Sequence, residues 1–136
     1  MAIIMRLADP GDLAFLDRAD PHVSEDELAR VLRAGRVIVA DDGTSVRGWL
    51  RWGLFWDAIP FMNMLFVVEP HRGRGLGTRL IAYWEDQQRA AGFHSVMTST
   101  LATERAQHLF RRRGYIDRGC LLLPGEPLEI LLGKPL

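Results

Sequence analysis

Apolar positions follow one another almost without a break from Phe61 to Val68: Phe61, Met62, Met64, Leu65, Phe66, Val67 and Val68. That pattern predicts a strand buried on both faces. HRGRGLG follows at 71–77, and then Leu80, Ile81 and Trp84 fall at helical spacing. Gly73, Gly75 and Gly77 carry no Cβ where the backbone must turn and come close to something. A strand, a glycine-rich turn and a helix N-terminus together expose several N–H groups at the positive end of a helix dipole. This is an anion site, and phosphate is its usual occupant.

The rest of the chain reads the same way. Ala2 to Leu7 is a short strand, broken by Ala8-Asp9-Pro10-Gly11-Asp12, where Asp9 or Asp12 caps a helix bearing Leu13, Phe15 and Leu16. After Pro21, Ser24 with Glu27 forms a capping box for a helix with Leu28, Val31 and Leu32 on one face, ended by Gly35. Arg36 to Ala40 and Ser45 to Phe55 are strands joined by an Asp41-Asp42-Gly43-Thr44 hairpin turn, and Asp57 to Pro60 loops into the opening strand. The helix after the glycines should end at Gly92, with Phe93 to Ser99 the next strand. Thr103 is the expected cap of a helix with Ala106, Leu109 and Phe110 facing inward, stopped by Gly114. Tyr115 to Leu123 and Leu128 to Leu132 are strands about a Pro124-Gly125 turn. The order βααβββαβαββ implies an α/β (α+β) chain with a mixed, partly antiparallel sheet.

At 136 residues, positions 1–136 make a single domain with room for a full core. The 17 acidic and 17 basic residues cancel, so no overall field points to nucleic acid or to an anionic membrane. Lys134 is the only lysine, which argues against Schiff-base chemistry. Cys120 is the only cysteine, which excludes an internal disulfide and fits a reducing, cytoplasmic setting. No apolar run is long enough to span a bilayer, no signal peptide is evident and no metal site is expected.

Three phosphate-binding patterns compete for the glycine turn. A Walker loop requires Gly-Lys-Ser/Thr, whereas this turn ends Gly77-Thr78-Arg79. A dinucleotide fingerprint requires a third glycine where Thr78 or Leu80 stands. The pattern R-x-x-G-x-G is met by Arg72, Gly75 and Gly77, with Leu65-Phe66-Val67 upstream in the form L-x-V. Downstream, Ala106, Leu109, Gly114 and Tyr115 match N-x-x-A-x-x-[LF]-Y-x-x-x-G-[FY], with Phe110 at its tyrosine. In these motifs and in element order the whole chain resembles the GNAT family of N-acetyltransferases.

The resemblance implies a mostly antiparallel sheet of about six or seven strands flanked by about four helices. It also implies acetyl-CoA as cofactor and transfer of its acetyl group to a primary amine of a small molecule. The implied cofactor contacts are Leu65, Phe66 and Val67, the turn Arg72, Gly73, Arg74, Gly75, Leu76, Gly77 and Thr78, and further Thr103 and Phe110. Two positions depart from the family pattern. Thr103 stands for an asparagine, and Phe110 for the tyrosine that commonly protonates the departing thiolate. Phenylalanine has no proton to give, which keeps open a non-catalytic acyl-CoA-binding module. A peptide or protein N-acetyltransferase differs from the first reading only in its acceptor, and a homodimer is a further implication.

The general base stays open. Asn63 can orient an amine or a water, and Asp57 and Glu69 flank the same strand. Trp56 with Asp57 and Phe61 is a candidate wall for a cationic amine, whereas Trp49 and Trp52 read as core. His71 reads as a surface residue, and His94 and His108 as satisfied structural histidines. Arg74 and Arg79 are candidates to add charge at the turn, and Arg112 or Arg113 to meet a cofactor phosphate. The Arg111-Arg112-Arg113 run sits at a helix C-terminus, where cations offset the dipole, and reads as a solvated face. Glu129 beside the last strand either reaches the acceptor cleft or belongs to an exposed edge.

Overall fold

The computed structural model describes residues 2–136. β1 (Ile4–Leu7), α1 (Leu13–Ala19), α2 (Glu25–Arg33), β2 (Val37–Asp41), β3 (Val46–Phe55), β4 (Ile59–Val67), α3 (Leu76–Ala90), β5 (Ser95–Leu101), α4 (Ala106–Arg112), β6 (Ile116–Leu121) and β7 (Glu129–Pro135) follow in the expected order. One 7-stranded sheet runs β1-β2-β3-β4-β5-β7-β6. Every pair in it is antiparallel except β4 with β5.

Local chemistry sets the turns. Asp42 Oδ1 accepts from the Thr44 and Ser45 amides at 2.8 Å each, and this Asx turn closes the β2–β3 hairpin. Between β3 and β4, Trp56 (φ 54°) and Asp57 (φ 59°) both take the left-handed region, and Ala58 N donates to Phe55 O at 3.1 Å. That is the hairpin geometry usually given to Asn-Gly, held here by two residues that pay strain for it. Before α1, Asp9 and Asp12 cap a 3-10 turn reciprocally: Gly11 N donates to Asp9 Oδ1 and Asp9 N to Asp12 Oδ2, each at 2.8 Å. The Ser24–Glu27 box is half made. Ser24 Oγ accepts from Glu27 N at 3.2 Å, while the Glu27 carboxylate turns to Arg30.

The sheet is covered on both faces. α3 lays Leu80, Ile81 and Trp84 on Ile38, Leu50, Met62 and Val96. α1 and α2 lay Leu16, Leu28 and Leu32 on Val37, Val39 and Trp49. Each core residue so buried contributes about 1.5–3 kcal/mol.

Several expectations need correction. β4 is not buried on both faces throughout, because Asn63 and Phe66 are exposed where the sheet opens beside them. β5 begins at Ser95 rather than Phe93, and α4 at Ala106. Thr103 caps nothing; it is exposed in the preceding turn, where the Gln107 side-chain amide instead donates to Ala102 O at 2.8 Å. The last strand is not an edge: β7 inserts between β5 and β6, so β6 is outermost. His94 and His108 are exposed rather than buried structural groups.

The feature that positions the site is a fork. β4 and β5 pair only at Phe61↔Met97 and Met62↔Thr98. Thr98 Oγ1 donates to Met62 O at 3.0 Å at the point of divergence. The β3–β4 register shifts there too: Arg51 faces Met64 and Trp52 faces Met62, which leaves Asn63 as the extra residue of a bulge.

Candidate active site

Beyond the fork a cleft of about 830 Å³ opens between the carboxyl ends of β4 and β5. Met62 to Phe66 of β4 form one wall and Thr98 to Leu101 of β5 the other. Ala106 and Phe110 of α4 close one end, and Pro21 and His22 overhang from the α1–α2 turn. Glu104, Leu123, Glu126 and Glu129 complete the rim. From Asn63 onward β4 has β3 on one edge and no strand on the other. A ligand with amide groups can therefore complete the ladder along that open edge.

β4 leads directly into the glycine turn. His71 N donates to Val68 O at 2.9 Å and Arg72 N to Glu69 O at 3.1 Å, a short 3-10 turn that ends the strand. The amides of Gly73, Arg74, Gly75, Leu76, Gly77 and Thr78 then donate to no acceptor among the described residues; the next, Arg79 N, reaches Gly75 O at 3.0 Å. Six consecutive free donors at the start of a helix of 15 residues make an anion cradle. Gly73 (φ 75°) and Gly75 (φ 80°) hold the left-handed conformation that orients these amides, and the space where their Cβ atoms would stand is open. A diphosphate fits this donor set. Leu65 and Gly77 approach each other, so the cradle and the cleft are neighbours along one strand: a Cβ on Gly77 would lie 3.8 Å from Leu65 Cδ2.

The arginines around the turn divide. Arg72 folds back, with Nε donating to Val67 O at 2.7 Å and its guanidinium 5.0 Å from the Phe66 ring centroid. The Arg72 side chain and amide are thus engaged within the protein. Arg79 Nη2 donates to Ile3 O at 2.6 Å, and Arg113 approaches Glu85 at 3.7 Å. Arg111 pairs with Asp117 at 2.7 Å. Arg74 and Arg112 are exposed and have no acidic partner within 4.0 Å among the described residues.

Asn63, Leu65, Phe66 and Phe110 line the cleft. Phe110 is buried at 4% exposure, its ring 5.8 Å from that of Tyr115. The Tyr115 hydroxyl is no substitute acid. It donates to Glu85 Oε2 at 2.8 Å, and burial first, then the Glu85 charge, push it well above the usual tyrosine range. Trp56 and Asp57 are not in the cleft. Trp56 is 81% exposed at the hairpin tip, at the opposite end of β4 from the glycine turn. Asp57 borders a second cavity of about 440 Å³, which shares Asn63 with the first and contains Arg36, Arg51 and Trp52.

Six polar cleft residues were given no cleft role from the sequence: His22, Thr98, Ser99, Thr100, Glu104 and Glu126. None sits in a motif, and each reaches the cleft by a loop or strand whose position depends on the whole fold. Of the two readings open for Glu129, the cleft or an exposed edge, the structure has it on paired β7 at the cleft, opposite Leu101.

A family model described as acetyltransferase (GNAT) domain matches residues 33–117. A protein of Azospirillum brasilense named IAA acetyltransferase is 35% identical over 77 residues, 55% of this chain and 50% of that protein. The chain thus spans about half the length of that curated relative. Among solved structures, the ribosomal-protein-S18-alanine N-acetyltransferase of Escherichia coli superposes with a TM-score of 0.82 at 15% identity, covering 98% of this chain and 94% of that one. A structure from Salmonella typhimurium solved with acetyl-CoA as its cofactor superposes with a TM-score of 0.82 at 20% identity, covering 99% and 94%. At these identities the structural likenesses are likenesses of fold.

Proposed function

Because the chain belongs to the GNAT acetyltransferase family, we propose that it transfers the acetyl group of acetyl-CoA to a primary amine of a small molecule. The observation that carries this reading is the run of free amides from Gly73 to Thr78 continuous with the open edge of β4. Together they suit a ligand with a diphosphate at one end and an amide-bearing arm at the other.

When bound, acetyl-CoA supplies the acyl group as a thioester, with the family's cofactor chemistry. The chain's residues do the rest. The amides of Gly73 to Thr78 hold the diphosphate, with Arg74 close by in the turn and Arg112 at the end of α4 as the free cations of this region. The open edge from Asn63 to Val67 aligns the arm, and an N–H on that edge polarises the thioester carbonyl. Val67 takes part with its carbonyl already engaged by Arg72. Thr103, exposed in the turn before α4, retains at most a peripheral contact.

Glu129 is the candidate base. It is half-buried on a paired strand at the cleft, and it takes the ammonium proton directly or through one water. Asn63, on its bulge, orients the attacking nitrogen. Glu129 takes one proton of the ammonium, the neutral nitrogen then attacks, the N–C bond forms and the C–S bond breaks, the sulfur leaves as thiolate, and the second nitrogen proton passes to that thiolate or to water. With Phe110 at the end of the cleft no side-chain acid stands in the family's position, so positioning carries much of the rate gain.

Phe110 also favours a second reading, a module that binds acyl-CoA without turnover. The two separate in one experiment: purified protein, acetyl-CoA and a panel of primary amines, with free thiol titrated over time and cofactor binding measured by calorimetry. Amine-dependent thiol release supports transfer. Saturable binding with no release across the panel would establish the module instead.

A further inference from the structure

We infer that the cavity beside the β3–β4 hairpin is a second ligand site, and that it takes a free α-amino acid. It stands apart from the transfer reaction, because its lining shares only Asn63 with that of the cleft. Its volume, about 440 Å³, lies within the range of small-molecule sites. The cavity forms where β2 stops short of β3. Val37 begins β2 and faces Arg51, so β3 runs on from Trp52 to Phe55 with no strand on that side. Arg36 O accepts from the Trp52 amide at 3.1 Å, and the pairing ends there.

Leu54 is left with a free edge at this cavity. It faces Pro60 across the β3–β4 ladder, and Pro60 has no N–H to give. The two are therefore a non-hydrogen-bonded pair, and the Leu54 N–H and C=O point away from β4 to the open side. Neither group finds a partner among the described residues. An α-amino acid is the smallest molecule that pairs with both as one residue of an added strand would. Its ammonium donates to Leu54 O, and one carboxylate oxygen accepts from Leu54 N.

The side chains around that edge supply the matching charges independently. Arg51 is 8% exposed and lines the cavity. Its Nε and Nη2 hold Asp20 at 2.9 Å and 3.4 Å, whereas Nη1 has no partner and stays open to solvent. Arg36, with its guanidinium 5.2 Å from the Trp52 ring centroid, has no acidic partner within 4.0 Å among the described residues. These two cations meet the second carboxylate oxygen. Asp57, also without an ionic partner within 4.0 Å among the described residues, meets the ammonium. Glu27 and Arg30 bond each other at 3.0 Å and add no net charge. A carboxylate without an amine leaves Asp57 and Leu54 O unanswered, and an amine without a carboxylate leaves both arginines so.

The test is calorimetry on the full chain saturated with CoA, which keeps carboxylates out of the glycine-turn cradle. Glycine, L-alanine, L-leucine and L-glutamate are titrated in turn. At least one should bind saturably, and its amide and its deaminated acid should each bind about ten-fold or more weakly. Arg36→Gln should weaken that binding by about ten-fold, and Asp57→Asn should weaken it as well, with urea midpoints close to that of the parent chain. Glu129→Gln, which alters the cleft, should leave it unchanged. Saturable binding by none of the four overturns the inference. So does an amide or deaminated acid that binds equally well, and so does binding that Glu129→Gln abolishes and Arg36→Gln spares. No turnover is read, so each of these outcomes leaves the transfer reaction to its own test.

Discussion

The Asp20 carboxylate and the Arg51 guanidinium form a buried ion pair beneath the α1–α2 turn, with Nε to Oδ2 at 2.9 Å and side chains 1% and 9% exposed. Asp20 ends α1 and its Oδ1 also accepts from His22 N at 3.4 Å, so the pair holds Pro21 and His22 over the cleft. Arg51→Met leaves a buried carboxylate alone and should cost about 3–5 kcal/mol in urea unfolding. An Asp20→Leu/Arg51→Met double variant should recover most of that loss, because desolvation of two charges offsets much of their attraction. Its KM for the amine should stay raised while KM for acetyl-CoA is unchanged, since the overhang and not the cradle has lost its anchor.

Gly75 enters α3 at φ 80°, with the free amides on either side. Gly75→Ala forces a Cβ into the left-handed region at a cost of about 1–2 kcal/mol. Gly92 (φ 91°), just beyond the other end of α3, is likewise left-handed and open around its Cβ position, so Gly92→Ala carries a comparable backbone cost. Both variants should lose a few degrees in Tm. Only Gly75→Ala should raise the dissociation constant of CoA, by about ten-fold, in a calorimetric titration.

Tyr115, Glu85 and Lys134 form a buried cluster joining α3 to the β5–β7 half of the sheet, with Lys134 Nζ 3.0 Å from Glu85 Oε1. Tyr115→Phe removes a hydrogen bond to a charged group and should cost about 1.5–3 kcal/mol. Burial, then Glu85, hold the Tyr115 proton on well above the ordinary tyrosine range. An unfolded tyrosine titrates near pH ~10, so this contribution is complete below that pH and declines as pH rises through it. The alkaline fall in stability should be shallower in Tyr115→Phe, as measured by urea midpoints.

At the other extreme, Arg6 bonds Asp12 Oδ2 at 2.8 Å and Oδ1 at 3.0 Å, and Asp41 Oδ2 at 3.0 Å. The Arg6 hydrogen bond holds the Asp12 carboxyl below the usual carboxylate range. Asp42 is depressed too, by Arg47 first and then by Thr44 and Ser45. A lowered folded pKa gives stability that is present above the unfolded value, about 4, and is lost as pH falls through the folded one. Acid unfolding should therefore begin below about pH 4, and Arg6→Gln should flatten that limb of the stability profile.

Where a signal was local, the chain could be read directly. The glycine turn, the Asp42 hairpin and the order of all the main elements follow from spacing and turn chemistry, and the structure has them in place. What depended on non-local pairing was not legible. The place of β7 between β5 and β6 is a choice among neighbours that no strand encodes alone, and it decides that Glu129 lies at the cleft. The bulge at Asn63 arises from a one-residue mismatch between β3 and β4. Thr103 looked like a cap because threonine often is one; α4 starts three residues later, and Gln107 bonds the turn. Trp56 and Asp57 are close to the cleft in sequence, but β4 carries them to its far end.

Two rungs, Phe61↔Met97 and Met62↔Thr98, are the only strand pairing between the β1–β4 part of the sheet and the β5–β7 part. The molecule therefore has a seam, and a ligand paired with the open edge of β4 would be its missing thread. Between Asn63 and Val67, amides that face the open edge rather than β3 should exchange with deuterium quickly in the empty protein and slowly once that edge is occupied. Occupancy then closes the sheet as well as loading the reaction, so saturation with CoA should raise resistance to proteolysis along the seam before any acetyl group moves.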